Sequence, residues 1–90
     1  MKLNFNKSLQ NLDGSEVDNS NMGKILANLL SQSTVGEPIK CWEMALKLYK
    51  DGEIEVDTTD KDLLEKVINA SAAITAAGKA QLLLVIKTAK

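Results

Sequence analysis

Ninety residues can build one hydrophobic core while leaving a large share of the surface wet, so the chain reads as a single domain spanning residues 1–90. With 44% hydrophobic and 26% charged residues it falls in the ordinary globular range, and a formal charge of −1 provides no field to gather nucleic acid or anionic lipid. All eleven basic residues are lysines and histidine is absent, which removes the guanidinium fork, the commonest general acid/base and the commonest metal ligand together.

Those gaps argue against an enzyme and against any metal or cofactor. Cys41 is the single cysteine, so no intrachain disulfide can form, and only Lys40 stands near it as a candidate thiolate activator. A small buried apolar role suits it better than a nucleophile's. The polar, alternating start from Met1 to Asn6 does not read as a secretory leader, and the longest apolar run, Leu82 to Ile86, is far too short to cross a bilayer. The expected setting is a reducing cytoplasm, with no membrane and no nucleic acid as partners.

In chain order, Leu3 and Phe5 alternate with Lys2, Asn4 and Asn6, the period of a half-buried strand. Asp13-Gly14 marks a tight turn, which predicts a β-hairpin from about Leu3 to Val17, with a bulge or a looser loop competing because Leu12 breaks the register kept by Leu9. After the polar run Asp18 to Asn21, Met22, Ile25, Leu26, Leu29 and Leu30 fall at helical spacing. Ser33, Thr34 and Gly36 end that helix. Pro38 then opens a second helix, running to about Lys50 and stopped by Asp51-Gly52. It carries two apolar stripes, Ile39, Trp42, Leu46 and Tyr49 on one side and Cys41, Ala45 and Leu48 on another, as for a helix with more than one neighbour.

Glu53 to Val56 alternates again, as a short strand that could pair with the N-terminal one or as extended loop. Thr58 or Thr59 is the expected cap of a third helix, with Asp60 and Asp62 in its first turn and Leu63, Leu64, Val67 and Ile68 as its buried face. A break near Asn69 to Ser71 precedes a last helix from about Thr75 to Thr88, with Lys87 and Lys90 at its C-terminal end. Leu82 to Ile86 is apolar on every side, so this helix is either the centre of the core or part of an interface. The sum is an α+β fold, predominantly α-helical, of about four helices with a small N-terminal β-hairpin or strand pair. Its expected core comprises Leu26, Leu29, Leu30, Leu46, Leu64, Val67, Ile68, Leu83 and Ile86.

Few constellations carry chemistry. Ala77-Gly78-Lys79-Ala80 has the look of a phosphate-loop end, but Ala73 replaces the first glycine and Ala80 the magnesium-holding hydroxyl, so a glycine permitting close helix approach is the preferred reading. Lys79 stays the candidate anion contact if the chain sequesters a nucleotide-type signal. The acids from Asp51 to Glu65 do not have calcium-loop spacing. They read as a solvated helix start beside a charged edge strand, or as a face for a basic partner. Asn6-Lys7-Ser8 and Asn69-Ala70-Ser71 match the glycosylation pattern, which has no use in a chain that is not exported. Trp42 and Tyr49, seven apart on one helical face, form either an aromatic binding patch or part of the core. With Leu82, Leu84 and Val85 they make up the candidate interface residues.

The opening Lys2-Leu3-Asn4-Phe5 through Leu12-Asp13-Gly14, the helix Gly23-Lys24-Ile25-Leu26-Ala27-Asn28-Leu29-Leu30 and the late Lys79-Ala80-Gln81-Leu82-Leu83 together resemble small proteins of unassigned function from bacteriophages and prophages. The lysine-only basic set and frequent Asn suit an A/T-rich coding genome. The resemblance implies a protein acting by binding in a bacterial host cell, expected as a homo-oligomer: an assembly factor, a regulator or an inhibitor of a host protein. The alternative is a small-ligand-binding protein for an anionic nucleotide signal.

Overall fold

The computed structural model describes residues 1–34, 36–71 and 74–88. Among these, the alternation at the N-terminus forms β1 (Lys2–Asn4), but its partner is β4 (Glu53–Glu55), not the segment that follows it. The pairing is antiparallel, Leu3 opposite Ile54, and both side chains turn inward and are buried. Outward-facing Lys2 and Glu53 complete the ladder's wet side with an ion pair of 3.1 Å. Phe5 continues β1 into the core, fully buried, while its backbone joins two helix ends: its N–H donates to Gly52 O at 2.7 Å and its carbonyl accepts from Gly23 N at 2.9 Å.

The hairpin is therefore shifted from the expected 3–17. β2 (Ser8–Gln10) pairs antiparallel with β3 (Glu16–Asn21) across the Asp13-Gly14 turn, where Asp13 accepts from Ser15 N at 3.0 Å and Leu12 projects wholly into solvent. The register shifts between Ser8 and Gln10, so the hairpin is present with an irregularity in its ladder. Asn19 takes φ 55° within it, a conformation asparagine tolerates better than most residues. Ser20, the buried polar residue there, closes the gap. Its hydroxyl donates to Val17 O and accepts from Leu9 N at 3.0 Å. The other edge of β2 is covered by α4 (Ala76–Thr88): Gln10 N donates to Gln81 Oε1 at 2.8 Å, and Gln81 Nε2 returns a bond to Gln10 O at 3.0 Å.

Four helices are present among the described residues, and their ends follow local chemistry. Asn21 caps α1 (Met22–Ser31) by accepting from Lys24 N at 3.1 Å. Pro38 begins α2 (Pro38–Asp51), and Gly52 ends it in the left-handed conformation at φ 73°. α3 (Thr58–Ala70) is capped by Asp57 in place of the expected threonines. Asp57 and Asp60 form a reciprocal capping box, which two carboxylates at this spacing satisfy while a threonine one residue later is already helical. Only Asp60, not Asp62, lies in the first turn. Thr75 Oγ1 accepts from Gly78 N at 3.2 Å as α4 opens. Lys87 occupies its last turn, while Lys90 and Ala73 lie outside the described residues.

The buried cluster gathers Leu3, Phe5, Leu26, Leu30, Leu48, Leu64, Ile68, Leu82 and Ile86, all almost fully enclosed, from strands and helices alike. Of the expected core, Leu26, Leu29, Leu30, Leu64, Val67, Ile68 and Ile86 are buried; Leu83 is half-buried and Leu46 is exposed. Leu46 lies outside the core because α1 covers α2 on one side only. Gly78 also has a different role from the expected one: a Cβ there would fall 2.7 Å from Ile74 Cγ1, so the glycine admits a neighbouring side chain, not a second helix. No described helix is long and apolar enough to cross a membrane.

At Gly23 a Cβ would lie 3.0 Å from both Gly52 Cα and Leu48 O, which are backbone atoms that cannot swing aside. Gly23→Ala should therefore lower unfolding free energy in urea by about 1–3 kcal/mol, the range for overpacking. The helix-favouring effect of alanine alone would raise it. An unchanged or higher urea midpoint would show that α1 and α2 do not cross this closely.

Candidate protein-docking face

An α-helix advances about 100° per residue, so the two stripes of α2 point to different sides. Cys41, Met44, Ala45 and Leu48 fall within about 100° of arc and are buried, with α1 packed closely against the helix. Ile39, Trp42, Leu46 and Tyr49 fall within a separate arc of about 80°. They remain 67%, 56%, 51% and 58% exposed. These values decide between the two sequence readings of the aromatic residues. Trp42 and Tyr49 are surface residues, and with Ile39 and Leu46 they make a continuous apolar ridge about 15 Å long.

Contacts at both ends of α2 fix how the helix is turned. Lys24 on α1 places its Nζ 5.5 Å from the Tyr49 ring centroid, a cation–π contact that steadies one end. Near the other end, Lys40 is ion-paired with Asp60, which ties α2 to the capping box of α3. This contact holds the Asp60 carboxyl below its ordinary range and raises the Lys40 ammonium, in each case chiefly through the hydrogen bond between them. Glu43 and Lys50 are exposed beside the ridge, and Lys47 is exposed further round the helix.

The remaining candidates do not join this face. Leu82 is fully buried, which corrects its place among interface residues. Val85 is half-buried, and Leu84 is exposed on α4. Uniform apolarity concealed this division, since residues 82 and 86 share the inward side of the helix and 84 lies nearly opposite. The Lys79 ammonium reaches Asn69 O at 3.4 Å, near the C-terminal end of α3. A shallow cleft close by is lined by Asp62, Glu65, Lys66, Asn69 and Ala70, a poor setting for phosphate. Cys41 is buried and its thiol is pushed up, first by burial and then by Glu37, away from the thiolate. Among the described residues, no three His, Cys, Asp or Glu side chains cluster to hold a metal.

Sequence reasoning put Leu46 in the core, placed Ile39 in an apolar stripe without naming it an interface residue, and gave Glu43, Lys50 and Lys24 no part in a face. The two-stripe pattern of α2 was the available signal, although it could not say which stripe a neighbour covers. No family model, curated protein or solved structure matches the chain.

Two measurements check this geometry. Trp42→Ala should change stability by no more than about 0.5 kcal/mol, whereas Leu48→Ala, on the covered side, should cost about 2–5 kcal/mol. Equal losses at both sites would mean that the ridge is covered. For Asp60, a folded-state pKa below the ordinary 3.8 means its contribution is present above that value and is lost as pH falls through the folded pKa. The melting-temperature gap between the wild type and Asp60→Asn should therefore be full at neutral pH and close only in acid below 3.8, as pH falls through the folded pKa. A gap constant with pH would rule out the ion pair.

Proposed function

We propose that this chain is a non-catalytic protein-binding module that docks through the outer face of α2. The observation that carries this reading is the exposed ridge of Ile39, Trp42, Leu46 and Tyr49. Apolar anchors at i, i+3, i+7 and i+10 are the pattern by which a helix enters a partner's groove or packs on another helix. Tryptophan and tyrosine are the residue types that most often dominate binding energy. Exposing them has no folding benefit, because the helix is buried only on its opposite side. The resemblance to small phage and prophage proteins adds a setting, the cytoplasm of a bacterial host, in which such a module would assist assembly, regulate, or inhibit a host protein. The nucleotide-sequestering alternative gains nothing from the geometry around Lys79.

Trp42 is the single tryptophan, so 5-fluorotryptophan labelling places one ¹⁹F resonance on the ridge. In bacterial cytoplasmic extract that resonance should shift and broaden, Leu46→Asp should abolish the change, and nucleotides should move neither the resonance nor the melting temperature. A resonance that matches that in dilute buffer both in extract and at every concentration of the chain itself would overturn the reading. A nucleotide-dependent rise in melting temperature would favour the sequestering alternative.

A further inference from the structure

The charges beside the ridge say what can cover it. Glu43 and Lys50 lie on the same flank of α2, about 20° apart around the helix and separated by seven positions. When two copies of one helix meet face to face and antiparallel about a twofold axis, each flank meets its own reverse. An axis midway between residues 43 and 50 then sets Glu43 opposite Lys50 of the second copy, and Lys50 opposite its Glu43. The same axis passes beside Leu46, so the two Leu46 side chains meet at the centre. Trp42 comes within about 3 Å, along the helix axis, of Tyr49 of the second copy. Lys47, about 120° from the middle of the ridge, points clear of the contact. The apolar order and the charge order thus share one axis.

Resting on the proposed docking role of α2, we infer that the ridge binds a second copy of this chain, antiparallel, with the twofold axis at Leu46 and two Glu43–Lys50 pairs at the rim. A single helix against its copy covers less than the roughly 800 Å² per partner of a standard stable interface. The dimer is accordingly concentration-dependent and not obligate. The rim pairs are solvent-exposed, so salt weakens them while the apolar centre persists.

The test is light scattering after size exclusion on the purified full chain, from micromolar to millimolar concentration, with circular-dichroism melts to confirm that each variant folds. The wild type should rise from the chain mass of 9.8 kDa toward twice that value. Trp42→Asp should hold it at the monomer. Glu43→Lys and Lys50→Glu should each weaken association several-fold, and the double reversal should restore it. Leu46→Cys should form a disulfide-linked dimer under mild oxidation, with the wild type and its buried Cys41 as control. A monomer throughout would overturn the inference, and the docking reading would survive if extract still shifted the Trp42 resonance. Failure of the double reversal to rescue would overturn the antiparallel register. A dimer indifferent to Trp42→Asp, with an unmoved resonance, would overturn both.

Discussion

The fold depends on the junction where the backbone of Phe5 lies between the start of α1 and the end of α2. One residue supplies a donor to Gly52 and an acceptor to Gly23, so β1, α1 and α2 meet through main-chain bonds before any side chain is considered. Such bonds need the helix ends to come very close, and only residues without Cβ allow it. Gly23 faces backbone at 3.0 Å, and Gly52 combines a left-handed conformation with a Cβ position 2.7 Å from Asn6 Cβ. From this junction the chain leaves Gly52 directly into β4, which pairs back on β1 and encloses Leu3, Phe5 and Ile54. The small sheet is thereby a consequence of how two helices cross.

The same crossing determines what α2 presents to solvent. Because α1 packs on one side of α2, the stripe of Cys41, Met44, Ala45 and Leu48 is enclosed and the second stripe is left outward. The flanking contacts then set its rotation: Lys24 against Tyr49 from α1, and Lys40 with Asp60 from the start of α3. A rotation of α2 that buried Trp42 would break both contacts and expose Leu48. The ridge is therefore a by-product neither of loose packing nor of a missing hydrophobic partner inside the core; it is held outward by specific contacts.

Local chemistry made much of the fold legible. Alternation marked β1 and β4, the polar run ending at Asn21 and Gly52 bounded their helices, Asp13-Gly14 turned the hairpin, and the 3.6-residue period located the first three helices. Each of these signals acts over a few residues. Where neighbouring residues competed for a local role the reading slipped, as at Asp57, which displaced Thr58 and Thr59 as the cap because its carboxylate and that of Asp60 can bond reciprocally. Long-range partners were harder to read. β1 could have paired forward into a hairpin or across to β4, and both satisfy the same alternation; the Phe5 bonds to Gly23 and Gly52 select the second.

The sequence by itself determined the chemical class of the chain: no histidine, no arginine, one cysteine, balanced charge and an aliphatic core segmented into helices and short strands. Those properties belong to composition and local period and do not depend on what packs where. Only the tertiary structure decided which apolar residues are inside. Leu46 and Leu48 differ by two positions on one helix, and Leu82 and Leu84 by two on another, yet one of each pair is enclosed and the other exposed. Hydrophobicity states that a side chain gains by leaving water, but which neighbour removes it from water is settled by the approach of other elements. That approach places Ile39, Trp42, Leu46 and Tyr49 on the outside.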